Sequence, residues 1–138
     1  MTLINDQHKD AFFRDVEAAA KKAIWCALAT VANDEARVRM VHPTWEGDIL
    51  WIATGPNTAK AREIQKNSAV DIQFQVAPDD FVHLRVRGNA SVLTDQATKD
   101  RIWDVLDYDL AQFWPAGPTS PDYCVVKVLP SRVELSQM

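Results

Sequence analysis

The sequence predicts a mainly β protein with flanking helices, an antiparallel split β-barrel of about six strands. Three observations lead there. Short apolar or alternating runs of strand length follow one another across tight-turn signals. Only three segments carry helical periodicity. And 138 residues, 47% of them hydrophobic, suffice for one core, so a single domain over residues 1–138 is expected. Strands joined by tight turns pair antiparallel, and about six of them in so small a chain close into a barrel.

The first helix is predicted from Asp6 to Lys22, where Phe12, Val16, Ala19, Ala20 and Ala23 recur at helical spacing. Ile24 to Val31 is a continuous apolar run, read as a strand buried on both faces. Asn33-Asp34-Glu35 supplies a turn. Arg37 to Trp45 alternates, with Arg37, Arg39 and Val41 on one face and Val38, Met40 and His42 on the other; Pro43 marks an edge or bulge near its end. After the Glu46-Gly47-Asp48 turn, Ile49 to Thr54 returns as its hairpin partner. Gly55-Pro56-Asn57 breaks the sheet, and Thr58 to Lys66 forms a short helix capped by Asn57 or Thr58. Ala69 to Val76 and Phe81 to Leu93 are alternating strands around an Ala77-to-Asp80 turn, with Gly88 available for a bend. A second long helix is expected from Asp95 to Phe113, then short strands at Tyr123–Leu129 and Arg132–Leu135.

Composition excludes several functions. A net charge of −4 and a pI near 5.3 oppose a nucleic-acid surface, which needs clustered Lys and Arg. No apolar run approaches the length of a bilayer span and the start lacks leader-peptide features, so a cytoplasmic protein with no membrane partner is expected. Cys26 and Cys124 sit inside apolar runs and read as buried, reduced thiols. His8, His42 and His83 are too dispersed for a metal site. No serine, histidine and acid arrangement suggests nucleophilic catalysis. Asp104, Asp107 and Asp109 read as a solvated face, and Trp25, Trp45, Trp51 and Trp103 as fillers of the core and of a dimer interface.

The informative stretch is Thr54-Gly55-Pro56-Asn57-Thr58-Ala59-Lys60, running from a strand end through a Gly-Pro turn into a helix. The unpaired N–H groups and dipole of a helix start attract an anion. Thr58 adds a hydroxyl and Lys60 a charge. The same residues equally suit a plain helix cap beside a solvated lysine. Arg37 and Arg39, on one face of a nearby strand, carry the side chain suited to bidentate phosphate binding.

These pieces together resemble the pyridoxamine 5′-phosphate oxidase superfamily of FMN-binding split barrels. The resemblance rests on Ala27-Leu28-Ala29-Thr30-Val31, Arg39-Met40-Val41, Leu50-Trp51-Ile52-Ala53-Thr54, Thr58-Ala59-Lys60 and Arg87-Gly88-Asn89-Ala90, in that order. Phe113-Trp114-Pro115-Ala116-Gly117-Pro118, Asp122-Tyr123 and Val133-Glu134 resemble its general-stress-protein branch. The resemblance implies a homodimer with FMN at the subunit interface and a small-molecule redox substrate. It implies that Arg39 and Lys60 hold the phosphate, with Thr58 in place of a serine. The backbone of Met40, Val41, His42 and Thr44, with Ala53 and Thr54, would edge the isoalloxazine ring. His83 would stand near it in place of a glutamine, and Phe113 and Trp114 would cover it from the partner.

Departures from the family pattern narrow the function. Ala59 and Thr44 stand where the oxidases carry arginine and lysine, though Arg37 is placed to compensate for one. The stretch Val133 to Met138 lacks the Trp and Arg-x-His element of true pyridoxamine phosphate oxidases and the aromatic residue common in the stress branch. The sequence therefore points to an FMN-binding flavoprotein and oxidoreductase that does not oxidise vitamin B6. The alternatives are a deazaflavin-dependent reductase and a non-catalytic flavin-binding general stress protein.

Overall fold

A computed structural model of the chain describes residues 6–20, 23–77 and 82–137. The elements are α1 (Asp6–Ala20), β1 (Cys26–Ala32), β2 (Glu35–Val41), β3 (Pro43–Glu46), β4 (Ile49–Thr54), α2 (Ala59–Lys66), β5 (Ala69–Ala77), β6 (Val82–Leu93), α3 (Gln96–Val105), a 3₁₀ turn (Leu110–Gln112) and β7 (Cys124–Gln137). All ladders are antiparallel, in the order β2-β1-β5-β6-β7-β4-β3.

The edges of this sheet, β2 and β3, are consecutive in the chain, with only His42 between them. One residue spans too little to bridge a flat seven-stranded sheet, whose neighbours lie about 4.8 Å apart. The sheet therefore curls until its edges meet, forming the expected split barrel. His42 sits in the seam. The strand tally differs from the sequence reading in two places. Pro43 cannot donate to a ladder, and the alternating run is divided at His42, with β2 pairing to β1 and only Pro43–Glu46 pairing to β4. The last two runs merge into one strand across Pro130.

Register shifts between Arg87 and Gly88, where Arg87 opposes Arg132 and Gly88 opposes Pro130. A Cβ on Gly88 would lie 2.5 Å from the Leu129 carbonyl oxygen, so the close backbone approach at this bulge requires glycine. Asn33 and Asp34 turn the β1–β2 hairpin with φ of 51° and 66°, the paired left-handed conformation of tight hairpins.

Inside the barrel, Leu28, Leu50, Ile52, Ile72, Phe74, Leu84, Val86, Val126 and Val128 pack with Val16 of α1 and Ile64 of α2. Each such buried chain contributes roughly 1.5–3 kcal/mol. Outside it, Trp51, Ile102, Leu106, Leu110, Tyr123 and Val125 bury α3 against β4 and β7. β1 alternates: Cys26, Leu28 and Thr30 are buried while Val31 is exposed, because its other face carries only small residues and one valine. The expectation of burial on both faces is corrected accordingly. Cys26 and Cys124 are free and buried.

The long helix expected over 95–113 ends at Val105. Leu106 is extended (φ −63°, ψ 136°), and the 3₁₀ turn starts only after Asp109, whose side chain accepts from the Ala111 N–H. Short acidic side chains compete for local donors and break the helix here. Lys21, Lys22, Pro78, Asp79, Asp80 and Phe81, parts of the first helix and of the β5–β6 turn in the sequence reading, lie outside the described residues.

Candidate functional site

β4 ends at Thr54 and the chain turns through Gly55-Pro56-Asn57 into α2. Thr58 is the N-cap: its hydroxyl accepts from Ala61 N–H at 3.3 Å and donates to the Gly55 carbonyl at 2.9 Å. Lys60 folds back over this turn, its Nζ donating to Thr54 Oγ1 at 2.9 Å. Burial, reinforced by the nearby Arg39 guanidinium, disfavours the charge on Lys60 and lowers its pKa from 10.5. Among the described residues no carboxylate pairs with this ammonium. A half-buried cation without a counter-charge, beside a helix N-terminus, suits an anion.

This polar end opens into a cavity of about 590 Å³ lined by Trp25, Met40, Val41, His42, Ala53, Thr54, Gly55, Thr58, Lys60, Tyr108, Gln112, Phe113 and Trp114. The volume lies within the usual range for small-molecule sites, roughly 300–1,000 Å³. Its walls are mostly aromatic and aliphatic, with polar groups at the Lys60 end and at His42, Tyr108 and Gln112. The largely apolar space and single cationic end fit an apolar ring system carrying an anionic tail. No group of His, Cys, Asp and Glu able to hold a metal occurs among the described residues.

Of the residues singled out by sequence, Met40, Val41, His42, Ala53, Thr54, Thr58 and Lys60 line this cavity; Phe113 and Trp114, expected to reach the ring from a partner subunit, line the cavity of their own chain. Arg39 stands behind it. Its guanidinium donates to Thr30 Oγ1 at 2.7 Å and to Glu63 Oε2 at 2.6 Å, close enough to Lys60 to perturb it. Arg37 is drawn away to Glu35 on the exposed surface. Thr44 is buried and donates to Asp107 Oδ1 at 3.0 Å. His83, on β6, meets Gln73 at 3.2 Å and does not line the cavity.

Asp107 is no solvated ornament. Besides Thr44 it holds His42, with Oδ1 3.1 Å from Nε2, and its own N–H donates to Thr44 Oγ1 at 3.3 Å. Tyr108 stacks on the His42 imidazole with centroids 4.0 Å apart and planes at 18°. Burial, aided by the Asp107 charge, pushes the Tyr108 phenol up to about 12. Trp25 is 55% exposed at the cavity wall, while Trp45 and Trp51 are buried. The sequence reading has Asp107 only as part of a solvated face, and it does not single out Tyr108 or Gln112 as site residues. Asp104, Asp107 and Asp109 are indeed exposed, but Asp107 also reaches the cavity wall through His42.

The profile of the pyridoxamine 5′-phosphate oxidase family matches residues 12–137. The chain belongs to this family. General stress protein 26 of Bacillus subtilis is 25% identical over 111 residues, spanning 79% of this chain and 76% of that one. A Clostridium acetobutylicum protein related to general stress protein 26 superposes with a TM-score of 0.77 at 18% identity, covering 97% of this chain and 91% of its own. An FMN-binding, pyridoxamine 5′-phosphate oxidase-related protein of Nostoc punctiforme superposes at 0.70 with 19% identity, covering 99% and 87%. These likenesses establish the split barrel of the family over nearly the whole chain. No helix among the described residues is long and apolar enough to cross a membrane.

Proposed function

We propose that this member of the pyridoxamine 5′-phosphate oxidase family is a cytoplasmic, single-domain, homodimeric FMN-binding protein. Its reaction is flavin-dependent oxidoreduction of a small molecule other than pyridoxamine 5′-phosphate. The observation that carries the reading is the cavity itself, apolar along Met40, Val41, Ala53, Phe113 and Trp114 and ending in the Lys60 ammonium, which has no carboxylate partner among the described residues. Lys60 and the free N–H groups at the start of α2 would take the phosphate, with Arg39 reinforcing the positive field behind them.

The cofactor supplies the electron chemistry, and the protein supplies binding, orientation and exclusion of water. Val38 and Met40, 69% and 60% exposed on the edge strand β2, are large apolar surfaces suited to a second copy of the chain. A partner seated there would roof the cavity.

A deazaflavin in place of FMN is the second reading, favoured by likeness to an F420 reductase structure, with a TM-score of 0.64 at 23% identity over 86% of this chain. The absorption spectrum of the purified protein tests both. Paired visible bands of a bound flavin support the first reading, a single deazaflavin band the second. Failure of added FMN, riboflavin and deazaflavin alike to bind would overturn both.

A further inference from the structure

The cavity wall around the barrel seam has a second side. Trp25, His42 and Tyr108 face the 590 Å³ cavity. Their chain neighbours Ile24, Pro43, Thr44 and Asp107 line a separate 220 Å³ cavity beneath α1. The contact between His42 Nε2 and Asp107 Oδ1 crosses that wall.

This contact decides which imidazole nitrogen carries the proton. A carboxylate offers only acceptors, and Asp107 Oδ1 already accepts from the Thr44 hydroxyl, so Nε2 is the donor toward it. In the neutral ring Nδ1 is then a bare acceptor. No described residue donates to Nδ1, and stacking on Tyr108 fixes the plane of the ring.

Acceptors are scarce in this cavity. Lys60 and the Trp25 indole only donate, the Thr54 and Thr58 hydroxyls are engaged with each other, with Lys60 and with Gly55, and no carboxylate lines the wall. The Tyr108 hydroxyl can accept but also carries a proton to donate, and the Gln112 amide is exposed to water, whereas the His42 side chain is 19% exposed. A ligand N–H entering the cavity therefore has His42 Nδ1 as its best-shielded side-chain partner among those that only accept.

We propose that His42 is the specificity residue of this cavity, accepting through Nδ1 the imide N–H of the bound ring, and that Asp107 is the positioning residue holding it in the accepting tautomer. The inference rests on the flavin-type reading above. An oxidised isoalloxazine or deazaisoalloxazine ring has one N–H, the imide N3–H between two carbonyls, so the ligand class is an imide-bearing planar ring. Rings methylated at that nitrogen are discriminated against. Such discrimination follows from leaving a buried acceptor unpaired.

The test uses full-length protein, lumiflavin and 3-methyllumiflavin, with binding read from fluorescence and the His42 tautomer from imidazole ¹⁵N shifts. Wild type should favour lumiflavin by about three- to tenfold, the worth of one neutral hydrogen bond. In His42→Phe, which keeps the stack on Tyr108 and removes the nitrogens, the preference should vanish. Asp107→Asn offers Nε2 an amide donor, so the ¹⁵N shifts should move the proton to Nδ1 and the preference should fall with it. Wild-type His42 protonated on Nδ1, or an N-methyl penalty that persists in His42→Phe, overturns the inference while leaving the flavin site standing. Binding of neither ring nor FMN to wild type overturns both.

Discussion

Arg39 Nη2 donates to Glu63 Oε2 at 2.6 Å, and the same oxygen accepts from the Thr30 hydroxyl at 2.8 Å. The triangle Arg39–Thr30–Glu63 ties β2 to β1 and to α2. The hydrogen bond from Thr30, with that from Arg39, holds the Glu63 carboxyl below its ordinary 4.5. A depressed carboxyl stabilises the fold above its ordinary pKa and loses that contribution as pH falls through the folded value. Glu63→Gln should therefore lower stability at neutral pH and flatten its fall in acid, as followed by urea unfolding. Freed of its carboxylate, Arg39 should also hold FMN several-fold tighter without any change for riboflavin; a weakening of FMN would argue against a phosphate role for Arg39.

Lys60→Ala removes a charge-assisted hydrogen bond to the proposed phosphate, worth roughly 1.5–3 kcal/mol, and FMN affinity should drop by about ten- to a hundredfold. Arg39→Ala removes only the positive field behind the site, so its loss of FMN affinity should be smaller. Riboflavin shares the ring but lacks the phosphate, so its affinity should barely respond. Titration of both ligands, with melts of the apo proteins alongside, separates a lost phosphate contact from general destabilisation.

Alkaline conditions should unfold the protein through its buried acids. Burial raises Cys26 from 9.0 to about 12, and burial with the Asp107 charge raises Tyr108 from 10.0 to about 12. Groups raised in this way stabilise fully below their unfolded pKa, and the contribution disappears as pH rises through the folded value. Stability should thus decline between about pH 9 and 12. Replacing Cys26 with Ser and Tyr108 with Phe should make that decline shallower, whatever it costs at neutral pH.

Gly88→Ala places a methyl carbon 2.5 Å from the Leu129 carbonyl oxygen and 3.1 Å from Pro130 Cα, both rigid backbone. The bulge must open to admit it. Denaturant unfolding should register a loss of about 1–3 kcal/mol, the usual cost of overpacking.

A homodimer that closes the cavity should be sensitive to charge on the β2 edge. Sedimentation of wild type with FMN should show a dimer, and Val38→Glu or Met40→Glu should shift it to monomer with loss of flavin. Intact flavin binding by a wild-type monomer would sink the proposed assembly.

Most of the barrel was legible because alternation and turn chemistry are local. Asn33-Asp34 and Gly47 announce their hairpins, and the apolar run Ile49–Thr54 between turn signals reads as a strand. What spacing conceals is which strands meet: β2 pairs with β1 instead of carrying on beside β4, since Pro43 interrupts the ladder and His42 spans the seam. The Lys60 end of the site was visible for the same local reason, being a strand-to-helix turn. The Asp107–His42 contact was not, because it joins residues 65 positions apart and depends on a helix that stops early at Leu106. Arg37 and Arg39 share a face, yet they part company over neighbouring carboxylates whose positions only the fold defines.

β7 runs between β6 and β4, and no other strand links the β2-β1-β5-β6 half of the sheet to the β4-β3 pair. Until residues 124–137 have been synthesised, a nascent chain holds two incomplete sheets with bare edges. The sheet is thus completed only once β7 is available to pair. Ribosome-bound or prematurely terminated chains would present unpaired strands to one another, the condition under which chaperone capture or aggregation takes over.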